Sequence, residues 1–232
     1  MEIKNKVVVV TGASGGIGLA IARELGRRGA TLVLAARSAD KLKEIAAEIP
    51  GSLAVPTDMT KQGDIKALIA QAKETFGRVD VLVNNAGVGL RSPVAEVNIE
   101  EYRAIMELNV FGVLRAMQEV VPLMRAQGGG LILNISSMVS KNYYPGMGAY
   151  ASTKYALNAL SLTARTELAG DHIVVSVFHP RMTATEFGAN AFGRKYSSPA
   201  GRPGLQVDTA PQVAAAVADQ IESEVPEAGM GM

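Results

Sequence analysis

Short runs of aliphatic, largely β-branched residues alternate along the chain with longer stretches in which apolar side chains return every three or four positions. An unbroken apolar run suits a strand buried on both faces, whereas the wider spacing suits a helix that lays one face on a sheet. The pattern predicts strands at 7–10, 31–36, 53–55, 79–83, 131–135 and 173–178. Helices are predicted between them, with stop and start residues at their ends. The first covers 16–28 and stops at Gly29; the second follows Ser38 as cap and stops at Pro50; the third, 61–76, follows Thr60 and is closed by Gly77. Asn98 with Glu101 resembles a capping pair at the head of the longest helical region, 102–126, which Gly128, Gly129 and Gly130 end. A helix from about Ala149 and a last one over 209–222 complete the set.

Strands separated by helices imply an α/β protein with a parallel, doubly wound sheet in three layers, six or seven strands and right-handed crossovers. The residues after the last helix, SEVPEAGMGM, hold no apolar run, so a seventh strand is expected to be short, irregular or absent. No linker, repeat or low-complexity tract divides residues 1–232, which read as one domain. The stretch 185–208 is rich in Gly, Ser and Pro without periodicity and reads as a mobile loop, whose Phe187 and Phe192 are candidates to cover a substrate.

Ligands of such sheets sit beyond the carboxyl ends of the strands. There, between the first strand and the first helix, stands Thr11-Gly12-Ala13-Ser14-Gly15-Gly16-Ile17-Gly18. Gly12 permits a tight turn, Gly16 lets backbone approach a pyrophosphate, Gly18 allows close packing of helix on sheet, and the helix N-terminus favours the anion. A dinucleotide is the indicated ligand. The second strand ends in Ala35-Ala36-Arg37-Ser38, where an NAD site usually offers an acid to the ribose hydroxyls. Arg37 can pair with a 2′-phosphate and stack on adenine, which favours NADP over NAD. Asp58, at the end of the third strand, is placed either to accept from the adenine amino group or to cap the helix that follows.

Further along, Tyr150 and Lys154 lie four apart on one predicted helix and project from the same face. A free phenol titrates near 10 and is a poor acid or base at neutral pH. Bringing it to about 7 takes about 4 kcal/mol of phenolate stabilisation, and because burial acts the other way, positive charge has to supply it. Lys154 is one such charge, and an oxidised nicotinamide ring is a second.

Composition removes several other classes. The 232 residues are 48% hydrophobic and 19% charged, with Lys plus Arg 23 interspersed among Asp plus Glu 22. That balance offers no basic stripe to nucleic acid, and no apolar stretch has the length of a membrane span or signal segment, so a cytoplasmic protein is expected. Zero cysteines exclude disulfides and thiolate sites, and two histidines, His172 and His179, are too few for a His-built metal centre, so a metal-free protein is expected. His179 ends an apolar strand and reads as a packed side chain rather than a ligand.

TGASGGIG, the NNAG stretch at 84–87, Asn109, Ser137 and the Tyr150/Lys154 pair together resemble the short-chain dehydrogenase/reductase family in its single-domain Rossmann-fold form, in order and spacing from about residue 6 to residue 185. The resemblance implies a catalytic set of Asn109, Ser137, Tyr150 and Lys154. Tyr150 would protonate a carbonyl oxygen, or deprotonate the alcohol in the reverse direction. Lys154 would lower the tyrosine pKa and hold the nicotinamide ribose, and Ser137 would donate to the substrate oxygen. Asn109 would use a local distortion of the long helix to hold a water linking Lys154 to solvent. Implied cofactor contacts run from Gly12, Ser14, Gly15, Gly16, Ile17 and Gly18 through Arg37, Ser38, Asp58 and Met59 to Asn85, Ala86 and Gly87, with Pro180, Thr183 and Thr185 after the sixth strand. The 84–87 stretch would also brace the central sheet.

Two departures stand out. The family usually has Gly after the proline, where this chain has Arg181, expected to salt-bridge nearby in preference to touching cofactor phosphate or an acidic substrate. The Val-Asp-Gly-Gly ending of many relatives is also missing.

The predicted function is NADP-dependent hydride transfer between nicotinamide and a carbonyl/alcohol pair. Ser137, Met138, Val139, Tyr144, Met147, Tyr150, Met182 and Phe187 are the expected substrate-pocket residues, a largely apolar and adaptable set that suits a medium-sized ketone or aldehyde. The resemblance implies a homodimer or homotetramer through the 102–126 helix and the Tyr150 helix. The alternative is an NADP-binding regulator without turnover on the same fold. Regulators of that kind commonly lack the tyrosine or the lysine, and both are present. Arg37 and the complete catalytic set speak against a doubly wound methyltransferase.

Overall fold

The computed structural model describes residues 1–195 and 206–231. Its first half alternates strictly: β1 (Val7–Thr11), α1 (Gly16–Arg27), β2 (Thr31–Ala36), α2 (Ala39–Glu48), β3 (Leu53–Pro56), α3 (Gln62–Phe76) and β4 (Val81–Asn84). A two-residue β5 (Leu90–Arg91) precedes α4 (Ile99–Met106), a π-helical segment Glu107–Gly112 and α5 (Val113–Ala126). Then come β6 (Gly130–Ile135), α6 (Gly148–Glu167) and β7 (Ile173–His179). The short β8 (Thr183–Ala184), β9 (Phe192–Gly193) and β10 (Asp208–Thr209) lead to α7 (Ala210–Ser223) and β11 (Glu227–Gly229).

Seven strands form one parallel sheet in the order β11-β7-β6-β4-β1-β2-β3. The strand order reverses between β1 and β4, which opens a crevice at their carboxyl ends. Alternation along each strand sorts the core into two layers. Val8, Val10, Leu32, Leu34, Val81 and Val83 face Ile21 and Leu25 of α1, Leu42 of α2 and Val217 of α7. Val7, Val9, Val33 and Leu82 face Leu68 of α3, Val113 and Val120 of α5 and Leu157 of α6.

The differences from the sequence reading have local causes. Val79 was placed in the fourth strand, but its amide and carbonyl are bonded to the Gln127 side chain at 3.2 and 2.7 Å, so β4 starts at Val81. Thr60 is not a helix cap: its amide and hydroxyl donate to Asp58 Oδ1 at 3.0 and 2.8 Å, and α3 begins behind Lys61. The long helix starts at Ile99 under an Asn98 cap, whose side chain accepts from the Glu100 and Glu101 amides, and it is interrupted by the π segment. The seventh strand exists and is short. Its neighbours hold it through Val177 N to Pro226 O at 2.9 Å and Met230 N to His179 O at 3.1 Å rather than through apolar burial. Arg181 makes the expected salt bridge, with Nε and Nη2 on the two oxygens of buried Asp208 at 3.1 and 2.9 Å. Residues 196–205 of the proposed substrate loop lie outside the described residues.

Candidate active site

The glycine loop leaves β1 at the switch point. Gly12 and Gly16 have φ of +68° and +55°, a region open to glycine and strained for other residues. A Cβ on Gly18 would overlap the Gly12 carbonyl oxygen and Asn85 Nδ2, whereas one on Gly15 would meet nothing within 4 Å. No acid occupies the first turn of α1, and Gly15, its N-terminal cap residue, is exposed. A loop whose glycine faces open space at a helix N-terminus fits a phosphate chain. Thr185, after β7, comes within 3.6 Å of a Cβ built on Gly16, so the loop and the post-β7 segment border the same space. Gly18→Ala is expected to cost about 2 kcal/mol of stability by overpacking. Gly15→Ala should leave the thermal midpoint unchanged, and parallel melting curves of the two variants check the contrast.

Next to the loop, Asn85 braces rather than reaches outward. Its Nδ2 donates to Thr11 O at 2.9 Å, and the Asn85 and Ala86 amides donate to Thr11 Oγ1 at 3.0 and 3.1 Å. Below it Asn84 Nδ2 donates to Asn134 Oδ1 at 2.9 Å, a cross-strand bond between β4 and β6. Both contacts tie the crevice floor to the sheet. At the far end, Arg37 and Ser38 are exposed, and the Ser38 hydroxyl makes no capping bond to α2 although it holds the cap position. Asp58 is engaged by Thr60, whose amide leads the causes that hold its carboxyl below the usual range, with Arg37 among the lesser ones. Of its two possible roles, capping α3 is not seen; an Asx turn is.

The catalytic candidates converge on α6. Lys154 is buried, and its Nζ donates to Ile135 O at 2.8 Å and stands 6.0 Å from the Tyr150 ring centroid. Among the described residues no carboxylate pairs with it, and burial pushes its pKa down to about 8. Tyr150 is 6% exposed within a small apolar cluster containing Leu90, Ile105, Val139, Met147 and Phe187, and the Phe187 ring tilts 56° to it at a centroid distance of 5.7 Å. Three of the expected pocket residues are therefore packed around the tyrosine. Tyr144 and Met182 lie on the surface, 50% and 42% exposed, and Met138 is half-buried.

Asn109 sits in the π segment, fully buried. Its Nδ2 donates to Val88 O at 2.9 Å and to Thr153 Oγ1 at 3.2 Å, and its Oδ1 accepts from Val88 N at 2.9 Å. A Cβ on Gly87 would come 3.1 Å from Asn109 Oδ1 and 3.8 Å from Lys154 Nζ, so Asn109, Gly87 and Lys154 share one corner. The protein-side role visible for Asn109 is to hold the Val88 backbone. Ser137 is extended, with its Oγ accepting from Val139 N at 3.3 Å as the cap of a 3-10 turn, Met138–Ser140. The sequence does not mark the residues beneath that turn, Ser136, Ser140 and Asn158, because each is an ordinary polar residue and Asn158 lies 18 and 22 residues from the two serines it joins.

The fold and the loop define a dinucleotide-binding α/β protein with a tyrosine-lysine helix at its switch point. Comparison with known proteins makes this specific: the model of the short chain dehydrogenase family matches residues 6–195. An oxidoreductase of Staphylococcus saprophyticus is 38% identical over 189 residues, 80% of this chain and 77% of that protein. An alcohol dehydrogenase from the archaeon Thermococcus sibiricus, solved with 5-hydroxy-NADP, superimposes with a TM-score of 0.86 at 33% identity, covering 98% and 96% of the two chains. A 3-ketoacyl-(acyl-carrier-protein) reductase from Brucella melitensis, solved with NADH, gives 0.89 at 26% identity over 99% and 98%. The chain belongs to the short-chain dehydrogenase/reductase family of oxidoreductases. Among the described residues no helix is long and apolar enough to cross a membrane, and no group of three or more His, Cys, Asp or Glu could hold a metal.

Proposed function

We propose that this protein is a single-domain, NADP-preferring oxidoreductase that interconverts a carbonyl and an alcohol, with Tyr150 as the proton donor and acceptor. The observation that carries the reading is the α6 pair: a buried lysine with no carboxylate partner among the described residues, its Nζ fixed on the Ile135 carbonyl and 6.0 Å from the ring centroid of a tyrosine in an apolar cluster. The bound cofactor supplies or receives the hydride. Tyr150 gives its phenolic proton to the substrate oxygen in reduction and takes it back in oxidation. Lys154 provides the positive charge that favours phenolate. Ser137 donates to the same substrate oxygen, which holds the carbonyl in place. Asn109 keeps the Val88 backbone, and with it Gly87, against the lysine.

The glycine loop and the N-terminus of α1 would hold the pyrophosphate; Ile17, Asp58, Met59 and Ala86 would border the adenosine; Pro180, Thr183 and Thr185 would border the nicotinamide. For NADP over NAD the support is Arg37 with the uncommitted Ser38 hydroxyl beside it. The solved relatives carry either form, NADP-type in the archaeal alcohol dehydrogenase and NADH in the ketoacyl reductase, so the preference rests on this chain's own residues. A medium-sized apolar ketone or aldehyde suits Val139, Met147 and Phe187 around Tyr150. Residues 185–208 would serve as the substrate loop. Phe111 and Tyr155, 44% and 38% exposed in the π segment and α6, suit a homo-oligomer paired through these helices.

The test is oxidation of NADPH and NADH by the purified protein over a panel of ketones and aldehydes. Turnover faster with NADPH is expected, and Arg37→Ala should reduce the NADPH/NADH ratio of kcat/KM by about 10- to 100-fold, a loss of about 1.5–3 kcal/mol from a charge-assisted phosphate contact. An unchanged ratio removes the phosphate assignment. Tight NADPH binding with no turnover on any carbonyl would favour a cofactor-binding regulator instead.

A further inference from the structure

Under the Ser137 turn lies a closed polar network that the hydride-transfer reading does not use. His179, at the end of β7, is fully buried. Its Nε2 is 2.9 Å from Glu227 Oε1 on β11, and its Nδ1 is 3.3 Å from Ser140 Oγ and 3.4 Å from the Ser137 carbonyl oxygen. Ser140 Oγ stands 2.6 Å from that same carbonyl and accepts from Asn158 Nδ2 at 2.9 Å, while Asn158 Oδ1 accepts from Ser136 Oγ at 2.6 Å. The turn that presents Ser137 is thus held from one side through Asn158 of α6, one helical turn beyond Lys154, and faces the ring of His179 on the other.

We propose that His179 and Glu227 are a positioning pair for Ser137, which makes the C-terminal strand β11 a working part of the active site. The proposal rests on the reading of Ser137 as the donor to substrate. A carboxylate only accepts, so Glu227 fixes the proton of the ring on Nε2 and leaves Nδ1 without one, and the ring donates nothing into the turn. The single Ser140 hydroxyl proton goes to the Ser137 carbonyl at 2.6 Å rather than to Nδ1 at 3.3 Å, and that bond holds the turn. With the proton on Nδ1 instead, the ring would itself donate into Ser140 Oγ and the Ser137 carbonyl, and the turn would be held by a different bond. The charged groups facing the ring are Glu227 from β11 and Lys141 from the end of the turn, whose Nζ bonds the same Glu227 oxygen at 2.7 Å. Burial lowers the His179 pKa, and the Glu227 hydrogen bond opposes this, so the ring is neutral at pH 7 with its tautomer chosen by Glu227. The backbone adds to the tie: Ser136 N donates to Phe178 O at 2.7 Å, Met138 N to Pro180 O at 3.0 Å and Met230 N to His179 O at 3.1 Å.

The experiment uses Glu227→Ala and Glu227→Gln, the latter able to accept from Nε2 without charge. With ¹⁵N-labelled histidine the protein has only two rings to read, and His172→Gln assigns them. The Nε2–H tautomer of His179 is expected in the parent and in Glu227→Gln, and a tautomer mixture in Glu227→Ala. Amide exchange at Met138 and Ser140 should accelerate in Glu227→Ala alone. With 4-nitrobenzaldehyde and NADPH as probes, kcat should fall about tenfold in Glu227→Ala, with NADPH affinity within about twofold, and recover to within about threefold in Glu227→Gln. Because removing the opposite charge disfavours imidazolium, the His179 pKa should fall further in Glu227→Gln. A parent ring protonated on Nδ1, or Glu227→Ala with unaltered exchange and kcat, overturns the proposal; so does a kcat loss in Glu227→Gln equal to that in Glu227→Ala despite an intact tautomer. If the parent reduces no carbonyl, the reductase reading fails, while tautomer and exchange, measured without substrate, still decide whether the pair positions the turn.

Discussion

Replacing Tyr150 with phenylalanine is expected to lower kcat about 1,000-fold while leaving cofactor affinity and the thermal midpoint nearly unchanged. General acid–base groups contribute about 10²- to 10⁴-fold, and here the tyrosine hydroxyl is the only group assigned to move the substrate proton. The ring itself is a packing element, 6% exposed and tilted against Phe187 at 5.7 Å, and phenylalanine retains that shape. The loss should therefore be chemical rather than structural. Steady-state rates with the best carbonyl of the panel, beside a fluorescence titration with NADPH, separate the two. Near-normal turnover in the variant would move the proton-transfer role to another residue and end the assignment of Tyr150.

Lys154→Met is expected to abolish turnover to a similar degree and, unlike most core substitutions, to make the protein more stable at pH 7. A buried lysine whose ammonium, among the described residues, is hydrogen-bonded to the Ile135 carbonyl and to no carboxylate is charged against the cost of burial, which is why its pKa falls from 10.5 to about 8. The unfolded chain binds this proton more tightly than the folded one, so the group costs stability below pH 8, and the cost fades as pH rises from about 8 to 10.5. The shift corresponds to about 3 kcal/mol. Allowing about 1 kcal/mol for the lost Ile135 hydrogen bond leaves a gain of about 2 kcal/mol for methionine. Urea unfolding at pH 7 and pH 10 gives the test: the difference between variant and parent should be large at the first pH and small at the second. A destabilised variant at pH 7 would mean that the lysine is not strained in the fold, and the idea that stability is given up for a charge beside Tyr150 would be lost.

The sequence made the parallel sheet legible because five of its strands, β1, β2, β4, β6 and β7, are almost wholly buried and read as largely apolar runs, as at Val7 to Val10. The seventh could not be read that way. Glu227, Ala228 and Gly229 carry no apolar signal, and what places them is the ladder to β7 together with the Glu227 contact to His179. Thr60 looked like a helix cap by residue type, but Asp58 competed for its hydroxyl, an outcome set by backbone geometry. The glycine loop, the Tyr150/Lys154 spacing and Arg181 were legible because each has local meaning: a positive φ, a shared helix face, a cation in place of glycine. Ser140, Asn158 and Glu227 have none. Asn158 and Ser140 meet across 18 residues and Glu227 and His179 across 48, and each type has an unremarkable role elsewhere.

The π segment carries one more implication. A Cβ on Gly112, three residues after Asn109, would collide with the Met59 carbonyl in the turn after β3. The turn proposed to border the adenosine and the helix bearing Asn109 are thus a single joint, and reshaping one displaces the other. Arg37 and Ser38 follow β2 beside that turn, where Thr57 N donates to Ala36 O at 2.9 Å, but their side chains are exposed rather than packed into the joint. If Arg37 and Ser38 set nucleotide preference as proposed, substitutions there leave the Asn109 joint in place, whereas a change at Met59 displaces it: the positions open to change are those where packing is loosest.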